Sequence, residues 1–270
     1  MTPSQTAAPA YLRALWRVRP ALLASGIARC SGLARRRPLA TSQGTFWLSP
    51  ASYLGMCLLQ YGAYEPDMCR FLAESLRLGD VFLDIGANEG YLSVLASKLV
   101  GVRGRVIAVE PQRRLAPVIR KNLELNGCEN VVLIEALLGA QDGEGLLTLS
   151  PASNNGGSSE HPAGRLSWLM RRQRTRVITL DTLFREQGLE RVDVAKVDIE
   201  GGEWDMLLIG KPRILAERRI GLLSLDVHES ILRNRGVDPE DLRRYVRACG
   251  YQPATLYSWV WEAPARRAAA

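Results

Sequence analysis

The 270-residue sequence has no long apolar segment and no recognisable cysteine pattern. No apolar run reaches the roughly 20 residues that a membrane-spanning helix needs, and the longest candidates are interrupted by Arg, Pro or Gly. The five cysteines are scattered, with neither zinc-ligand spacing nor a secreted-type framework. These absences argue against a membrane-spanning protein, a zinc module and a disulfide scaffold. We expect free thiols in a reducing, cytoplasmic compartment.

Acidic side chains are absent from residues 1–40, which contain seven arginines. That segment carries the whole surplus of the formal net charge of +7, because the remaining residues hold 28 basic and 28 acidic side chains. A uniformly basic surface for nucleic acid is therefore not expected. We predict that residues 1–44 form a basic arm docked on the following domain. The alternatives are a transit-like segment and a short helix in weak peripheral contact with an anionic membrane.

The most informative stretch is residues 81–91, VFLDIGANEGY. An apolar run that contains one acid, Asp84, precedes a glycine-punctuated turn at residues 86–90, and an apolar-periodic run follows over Tyr91–Val100. This order predicts a buried strand, a tight turn and a helix. Glycines let the backbone approach a ligand closely, and free N–H groups at the helix start can hold a polar ligand. We call residues 86–90 the cofactor turn, although such a turn also occurs for packing alone.

Apolar strand-like runs alternate with helical patterns through the rest of the chain. Further strands are predicted at residues 105–110, 131–134, 145–149, 176–180, 192–199, 220–227 and within 251–262. Most are continuous apolar runs, which favours an α/β fold with a largely parallel sheet covered on both faces. We expect one domain over residues 45–262, with a helical lead-in to about residue 80 and a tail at 263–270.

Acidic residues recur where the predicted strands end. They are Asp84, Glu110, Glu135, Asp198, and Asp226 followed by His228. Parallel sheets bind ligands at the carboxyl ends of their strands. Acids at several successive strand ends are harder to explain by packing than any single one, so we expect a ligand site there.

The spacing of the cofactor turn favours S-adenosylmethionine (SAM) over a dinucleotide. The turn reads Gly86-x-Asn88-x-Gly90 and not the G-x-G-x-x-G of pyrophosphate binding. A carboxylate at Asp84 suits a cationic ammonium or sulfonium better than an anionic pyrophosphate. Glu110 ends the second predicted strand, where an acid can take both hydroxyls of a ribose. A nicotinamide-dependent dehydrogenase is therefore the least favoured interpretation.

The chain resembles the FkbM-type SAM-dependent methyltransferases from about Tyr61 to about His228. The resemblance is carried by YGAYE, VFLDIGANEG, VIAVEP, NLELN at residues 122–126, TLDTL at 179–183 and VDVAKVDIEGGEWDML at 192–207. It implies the class I methyltransferase sandwich, a Rossmann-like, doubly wound, mostly parallel seven-stranded sheet with its last strand reversed. It also implies O-methylation of a hydroxyl on a sugar, glycan, glycolipid or polyketide-type acceptor. Methylation of a protein or another small molecule, and a catalytically silent SAM- or nucleoside-binding module, are the alternatives.

The same resemblance implies roles for individual residues. It makes Asp84, Gly86, Asn88 and Gly90 the cofactor-binding turn, Glu110 the ribose ligand, Glu135 and Ala136 neighbours of the adenine, and Asp198 a neighbour of the methionine part of SAM. One position departs from the family pattern. Asp226 stands where the family more often has Glu before the same x-His, so its role is left open.

Methylation of an alcohol needs a proton acceptor, which can contribute a factor of roughly 10² to 10⁴. His228 is the first candidate, because it is one of two histidines and follows a strand-like run. A histidine hydrogen-bonded at the edge of the core is the alternative. Glu200 and Asp198 are the other predicted catalytic residues. Asp198, Glu200 and Asp226 could bind Mg²⁺, but the sequence has no aspartate-rich metal motif and we predict no metal.

A long loop at residues 151–164, rich in Gly, Ser, Asn and Pro, is the predicted acceptor-recognition loop. We assign acceptor binding to its Asn154, Asn155 and Ser158. Arginines cluster just after the loop at residues 165–176. They suit an anionic acceptor, or they are simply solvated.

Overall fold

A computed structural model describes residues 34–150 and 170–264, together with the isolated residues 27, 30, 32 and 158. Most of the predicted arm, and the acceptor-loop residues Asn154 and Asn155, therefore lie outside the described residues. Within the described part of the chain, no helix has both the length and the apolar character of a membrane span.

The described elements alternate between strands and helices, as the sequence pattern indicates. The strands are β1 Arg37–Thr41, β2 Gly44–Leu48, β3 Val81–Ile85, β4 Arg105–Val109, β5 Val131–Ile134, β6 Leu137–Leu138, β7 Gly143–Leu149, β8 Arg171–Ile178, β9 Val192–Val197, β10 Ile220–Leu225, β11 Gln252–Pro253 and β12 Val260–Glu262. The helices are α1 Tyr53–Tyr61, α2 Pro66–Ser75, α3 Tyr91–Val100, α4 Ala116–Leu125, α5 Leu180–Glu186, α6 Arg213–Ala216, α7 Glu229–Asn234 and α8 Pro239–Ala248, and Trp204–Ile209 is π-helical.

Seven strands form the central sheet in the order β11-β12-β10-β9-β3-β4-β5. β10, β9, β3, β4 and β5 pair in parallel, whereas β12 runs antiparallel to both β10 and β11. This is the doubly wound sheet with a reversed last strand, and it confirms the class I methyltransferase sandwich. Along the chain, β3, β4 and β5 follow one another toward one edge of the sheet, whereas β9 and the later strands lie on the other side of β3. The strand order therefore switches between β3 and β9. Such switch points are where open α/β sheets bind ligands.

The central strands are continuous apolar runs because both faces of the sheet are buried. Leu83 and Ala195 belong to the core on one face, and Phe82 and Val194 belong to the core on the other. Alternate residues of one strand thus serve different cores. A strand with two buried faces has no polar face to show in its sequence.

A smaller three-stranded sheet, ordered β6-β8-β7, lies outside the central sheet. The predicted strand at residues 176–180 is wrong in its bounds: β8 starts at Arg171 and ends at Ile178, and Leu180 already begins α5. In β8, Arg174 and Arg176 are exposed while Thr175 between them is buried. This alternation is typical of an antiparallel strand with one solvent-exposed face. A search for continuous apolar runs does not detect such a strand.

Candidate functional site

A cavity of about 210 Å³ opens at the carboxyl ends of β3, β4, β9 and β10. Its described lining is rich in acids and aromatic rings and contains no lysine or arginine. The acids, tyrosines and histidine that line it are Glu65, Glu110, Asp198, Glu200, Asp226, Tyr53, Tyr64 and His228. The strand-end acids predicted from sequence therefore meet at one cavity, with Asp84 and Glu135 as the exceptions.

The backbone of this cavity is strained at three places. Of the five described non-glycine residues with positive φ, three line it: Glu65 at 42°, Asn88 at 51° and Glu200 at 53°. A non-glycine residue in the left-handed region costs about 1–3 kcal/mol and persists where the surroundings hold it, often at ligand sites. The concentration of strain at one cavity supports a binding role for it.

The cofactor turn is held by backbone contacts and by one buried acid. Gly86 has φ 87°, and a Cβ on it would lie 2.0 Å from the carbonyl oxygen of Asp198, so only glycine lets β3 and β9 end side by side. The N–H groups of Asn88 and Gln112 donate to the two carboxylate oxygens of Glu110 at 2.8 and 3.0 Å. Burial raises the pKa of Glu110 to about 7, against these hydrogen bonds.

Asp84 lies one layer behind the cavity. It is 1% exposed, and one carboxylate oxygen accepts a hydrogen bond from the Ser93 hydroxyl at 2.5 Å. Its Oδ1 and the Oδ1 of Asn88 are buried atoms without a hydrogen-bond partner among the described residues. Buried acceptors are rarely left unpaired in native proteins, so these two oxygens are available to a donor that enters the site.

Besides Asp84, three other predicted cofactor residues do not line the cavity. Gly90 precedes α3 with φ 80° and lies against Ile119 of α4. Glu135, just after β5, pairs with Arg120 at 2.5 Å. Ala136 is fully buried in the core. Gly90, the last residue of the cofactor turn, thus faces α4 and not the cavity, whereas Glu135 and Ala136 directly precede Leu137, which does line the cavity.

Lys196 is a site residue that the sequence analysis missed. It lies inside β9, in register with Asp84 of β3, and is 4% exposed. Its Nζ donates to Oδ2 of Asp198 at 2.9 Å. Burial alone would lower the pKa of Lys196, but the carboxylates of Asp198, Asp84 and Glu65 raise it above its ordinary value. The available signal was a lysine within the apolar run VDVAKV, on the same face as Asp198 two residues later.

His228 is fixed by Glu203, another residue without a predicted role. Nδ1 of His228 lies 3.2 Å from Oε1 of Glu203, and the His228 backbone N–H donates to the same oxygen at 2.8 Å. Glu203 is fully buried, which locks the orientation of the ring. Nε2 consequently faces Oδ1 of Asp198 and Oε2 of Glu200, each at 3.6 Å.

The charges around His228 set which group can accept a proton. Burial alone would lower the pKa of His228, but Glu203, Glu200 and Asp198 raise it to about 9. Burial raises the pKa of Glu200 to about 7; the nearby His228 opposes this rise, and neighbouring acids add to it. At neutral pH His228 is therefore protonated in the ligand-free protein, while Glu200 is close to its midpoint.

Asp198, Asp226 and His228 could together hold a metal ion. One possible ligand atom from each lies within 4.8 Å of the others. Metal ligation would require the proton on Nε2 of His228 to leave, because a protonated imidazole cannot ligate. This set shares Asp198 and Asp226 with the magnesium alternative raised from the sequence and replaces Glu200 with His228.

Ser158 is the one predicted acceptor residue that the structure describes, and it lines the cavity. Its hydroxyl donates to Oε1 of Gln112 at 3.0 Å and accepts a hydrogen bond from the Ser150 N–H at 2.9 Å. Among the described arginines after the loop, Arg174 pairs with Glu144 and Arg176 with Glu186, away from the cavity.

Comparison with known proteins gives one matching family model and a partial match to another methyltransferase. The family model for the FkbM methyltransferase domain matches residues 84–253, more than half of the chain. Protein-L-isoaspartate O-methyltransferase 1 of Archaeoglobus fulgidus is 42% identical over 67 residues, which cover 25% of this chain and 30% of that protein. The chain therefore spans less than a third of this relative's length.

Two solved structures are similar to this chain at low sequence identity and with TM-scores below 0.5. Methyltransferase FkbM from Methylobacillus flagellatus KT is 16% identical and has a TM-score of 0.42. The match covers 89% of this chain and 59% of that protein. Aeropyrum pernix fibrillarin, solved with natively bound SAM, is 14% identical, covers 82% and 75% of the two chains, and has a TM-score of 0.38.

The cavity fits SAM, the methyl donor that the family match implies. Glu110 offers a carboxylate to a ribose, and the unpaired oxygens of Asp84 and Asn88 suit the donors of a cationic amino-acid moiety. The surplus of carboxylates over cations suits a positive sulfonium. When bound, SAM would supply a methyl group already activated by its positive sulfur.

Proposed function

Because the chain belongs to the FkbM methyltransferase domain family, we propose that it transfers the methyl group of SAM to a hydroxyl of a neutral, sugar-like acceptor. The observation that carries this proposal is the cavity lining of five carboxylates, two tyrosines and one histidine, without a described lysine or arginine. Carboxylates accept hydrogen bonds from hydroxyl groups, and tyrosine rings offer an apolar face with a polar edge.

The charge of the cavity argues against an anionic acceptor. Phosphate and carboxylate ligands are generally bound by arginine and lysine. The described arginines after the acceptor loop lie on β8, and none of them lines the cavity. An isoaspartyl carboxylate, the acceptor named for the Archaeoglobus fulgidus relative, would have to enter a site that already holds five carboxylates.

The chain's own residues align the acceptor and take its proton. Nζ of Lys196 donates to Oδ2 of Asp198 at 2.9 Å and so fixes this carboxylate. Its other oxygen, Oδ1, lies 3.6 Å from Nε2 of His228. Glu200 is the proton acceptor in this proposal, because with a pKa of about 7 its carboxylate is free in part of the molecules at pH 7 and in most of them at higher pH, whereas His228 carries a proton. His228 then holds a positive charge beside the oxygen that loses the proton. That His228 is the base stays a prediction, which the pH dependence of single-turnover methyl transfer tests.

A cationic amine is the second candidate acceptor. Tyr53 and Tyr64 line the same cavity as Glu65, and a combination of aromatic rings and acids also binds ammonium groups. A silent SAM-binding module, the third alternative, would share the cofactor residues and transfer no methyl group.

Incubation with methyl-labelled SAM tests the proposal. The acceptor panel contains neutral oligosaccharide glycosides, sugar phosphates, a primary amine and an isoaspartyl peptide. We expect label in the neutral glycosides as a methyl ether, which survives mild alkali, whereas a methyl ester does not. Label only in the amine or in an alkali-labile ester would contradict the sugar assignment. SAM binding without transfer to the panel or to a fractionated cell extract would support the silent module.

A parallel series with EDTA and with added Mg²⁺ is the control for the metal alternative. Transfer that continues in EDTA agrees with a proton acceptor acting alone. Transfer that requires Mg²⁺ would reassign Asp198, Asp226 and His228 to a cation site.

A further inference from the structure

β1 and β2 pair antiparallel and form a hairpin, which is held against α4 by the two asparagines of the NLELN segment, Asn122 within the helix and Asn126 at its C-terminal end. Asn122 and Asn126 lie one helical turn apart and face the free edge of β2. Asn126 accepts a hydrogen bond from the Thr45 N–H at 3.1 Å and donates to the Thr45 carbonyl at 2.7 Å. Asn122 accepts from the Trp47 N–H at 2.6 Å. The helix therefore satisfies backbone groups of β2 as a neighbouring strand would.

The cofactor turn is contacted by α4 and by the residue that directly precedes the hairpin. Asn122 donates to the carbonyl oxygen of Glu89 at 2.7 Å, and Arg36, just before β1, forms an ion pair with the Glu89 carboxylate. The Glu89 side chain is 1% exposed and that of Arg36 is 20% exposed. Because the Glu89 carboxylate is buried, loss of Arg36 would remove a positive charge that stabilises the carboxylate in this position.

Glu89 occupies the middle of the segment that shapes the cavity. On one side, Asn88 holds a strained φ of 51° and donates its N–H to Glu110. On the other side, Gly90 adopts φ 80° at the start of α3. A strained residue keeps its conformation only where its neighbours hold it. Contacts that fix Glu89 therefore also fix Asn88, whose buried Oδ1 has no hydrogen-bond partner among the described residues.

We propose that Arg36 is a positioning residue for SAM binding: its ion pair with Glu89 holds the cofactor turn in the strained conformation that presents Asn88 and Glu110 to the cofactor. The inference rests on the proposed function, because it takes SAM as the ligand. It makes the hairpin part of the cofactor site, although none of its described residues lines the cavity.

Replacement of Arg36 in the full chain tests this role. We expect Arg36→Ala to weaken SAM binding about tenfold, or about 1.4 kcal/mol, in isothermal calorimetry. In the cofactor-free protein, hydrogen exchange should accelerate at the amides of residues 87–90. In steady-state assays the KM for SAM should rise, while kcat at saturating SAM stays within about twofold. Arg36→Lys should restore most of the affinity, and Arg36→Gln should not.

Arg37→Ala is the matched control, because Arg37 is the next residue and is exposed on β1. It should leave SAM affinity and exchange at residues 87–90 unchanged. Equal effects from the two variants, or wild-type affinity and exchange in Arg36→Ala, would overturn the positioning role. Failure of the wild type to bind SAM would instead overturn the proposed function. The exchange comparison of the cofactor-free proteins would still decide the role of Arg36.

Discussion

At the residue scale, the cavity is a set of buried charges that balance one another. Lys196 lies between Asp84 and Asp198, and its positive charge holds the pKa of Asp198 below the ordinary value although burial opposes ionisation. In the same way, the buried carboxylate of Glu203 helps to hold the pKa of His228 above its ordinary value. Loss of one partner from such a pair typically costs 3–5 kcal/mol, because the other charge stays buried. Site function and fold stability are therefore coupled at these residues.

The pH dependence of turnover should identify the proton acceptor. A base works only when unprotonated, so the rate rises with pH through its pKa. With Glu200 as the base, single-turnover methyl transfer should rise through about pH 7 and then level off. Glu200→Gln should lower the rate by roughly 10²-fold, remove this rise and leave SAM affinity within a few-fold.

His228→Ala is the companion variant, and it too should lower turnover more than SAM affinity. A wild-type rate that instead rises through about pH 9, together with a Glu200→Gln variant of normal rate, would return the base to His228. An alanine variant with lower thermal stability and an unchanged rate per folded molecule would make His228 a structural residue.

Glu110 should make the cofactor-free protein less stable as the pH rises. Its pKa is about 7 in the folded protein against an ordinary 4.5, so the folded state holds the proton that the unfolded state releases. Stability therefore falls between about pH 4.5 and 7, by about 3 kcal/mol at 1.4 kcal/mol per pKa unit.

Glu110→Gln should flatten this slope and weaken SAM binding at least about tenfold, since the amide has one acceptor oxygen where the carboxylate has two. Urea unfolding of both proteins from pH 5 to 8, with calorimetry at pH 8, measures the two effects. Parallel stability curves for variant and wild type would show that Glu110 is ionised throughout this range.

At the element scale, the close approach of two strand ends forms the site. The cofactor turn follows β3, and the loop with Asp198 and Glu200 follows β9, and Gly86 is the point where they meet. Because β3 and β9 pair in parallel, their last residues lie at the same edge of the sheet. Acids far apart in sequence therefore face one cavity.

Gly86→Ala should be more harmful than an alanine at another glycine of similar backbone conformation. Its φ is 87° and its Cβ would lie 2.0 Å from the Asp198 carbonyl oxygen, whereas Gly79 has φ 95° and open space around it. Gly79→Ala therefore measures the cost of φ alone, about 1 kcal/mol. Gly86→Ala should lose at least about 2 kcal/mol more and bind SAM more weakly, in thermal unfolding and calorimetry. Equal losses would mean that the strand ends separate easily.

At the scale of the whole molecule, the net charge is concentrated at one end of the chain. Removal of residues 1–33 takes away four arginines and no acid, and lowers the formal net charge from +7 to +3. The described hairpin and Arg36 would remain. The deletion therefore removes the charge of the N-terminal segment and leaves the ion pair of Arg36 with Glu89 in place.

Weak contact with anionic membranes stays a prediction from this charge. If this alternative to the docked arm holds, the full chain should co-sediment with phosphatidylserine vesicles at low salt and be released at high salt, since each arginine near the surface contributes about 1 kcal/mol. The chain without residues 1–33 should remain in solution and bind SAM as the full chain does. Equal sedimentation of the two proteins would contradict a membrane role for these arginines.

The sequence by itself determined the cofactor turn and the acids after β9 and β10, because each lies in a short segment beside an apolar strand. It also indicated the parallel sheet, because burial on both faces leaves a local signature in every strand. β8 lacks this signature, because its exposed arginines alternate with buried residues. Its partner strand β7 is also 22 or more residues away in the sequence.

Tertiary structure alone decided which charges meet. Arg36 and Glu89 are 53 residues apart, and His228 and Glu203 are 25 apart. Lys196 faces Asp84 only because β9 pairs with β3 in this register. Local patterns record how often a residue is buried, whereas strand register and the meeting of loops depend on packing over the whole domain. That packing also sets the pKa values of Glu200 and His228, and so decides which of them can accept a proton at neutral pH.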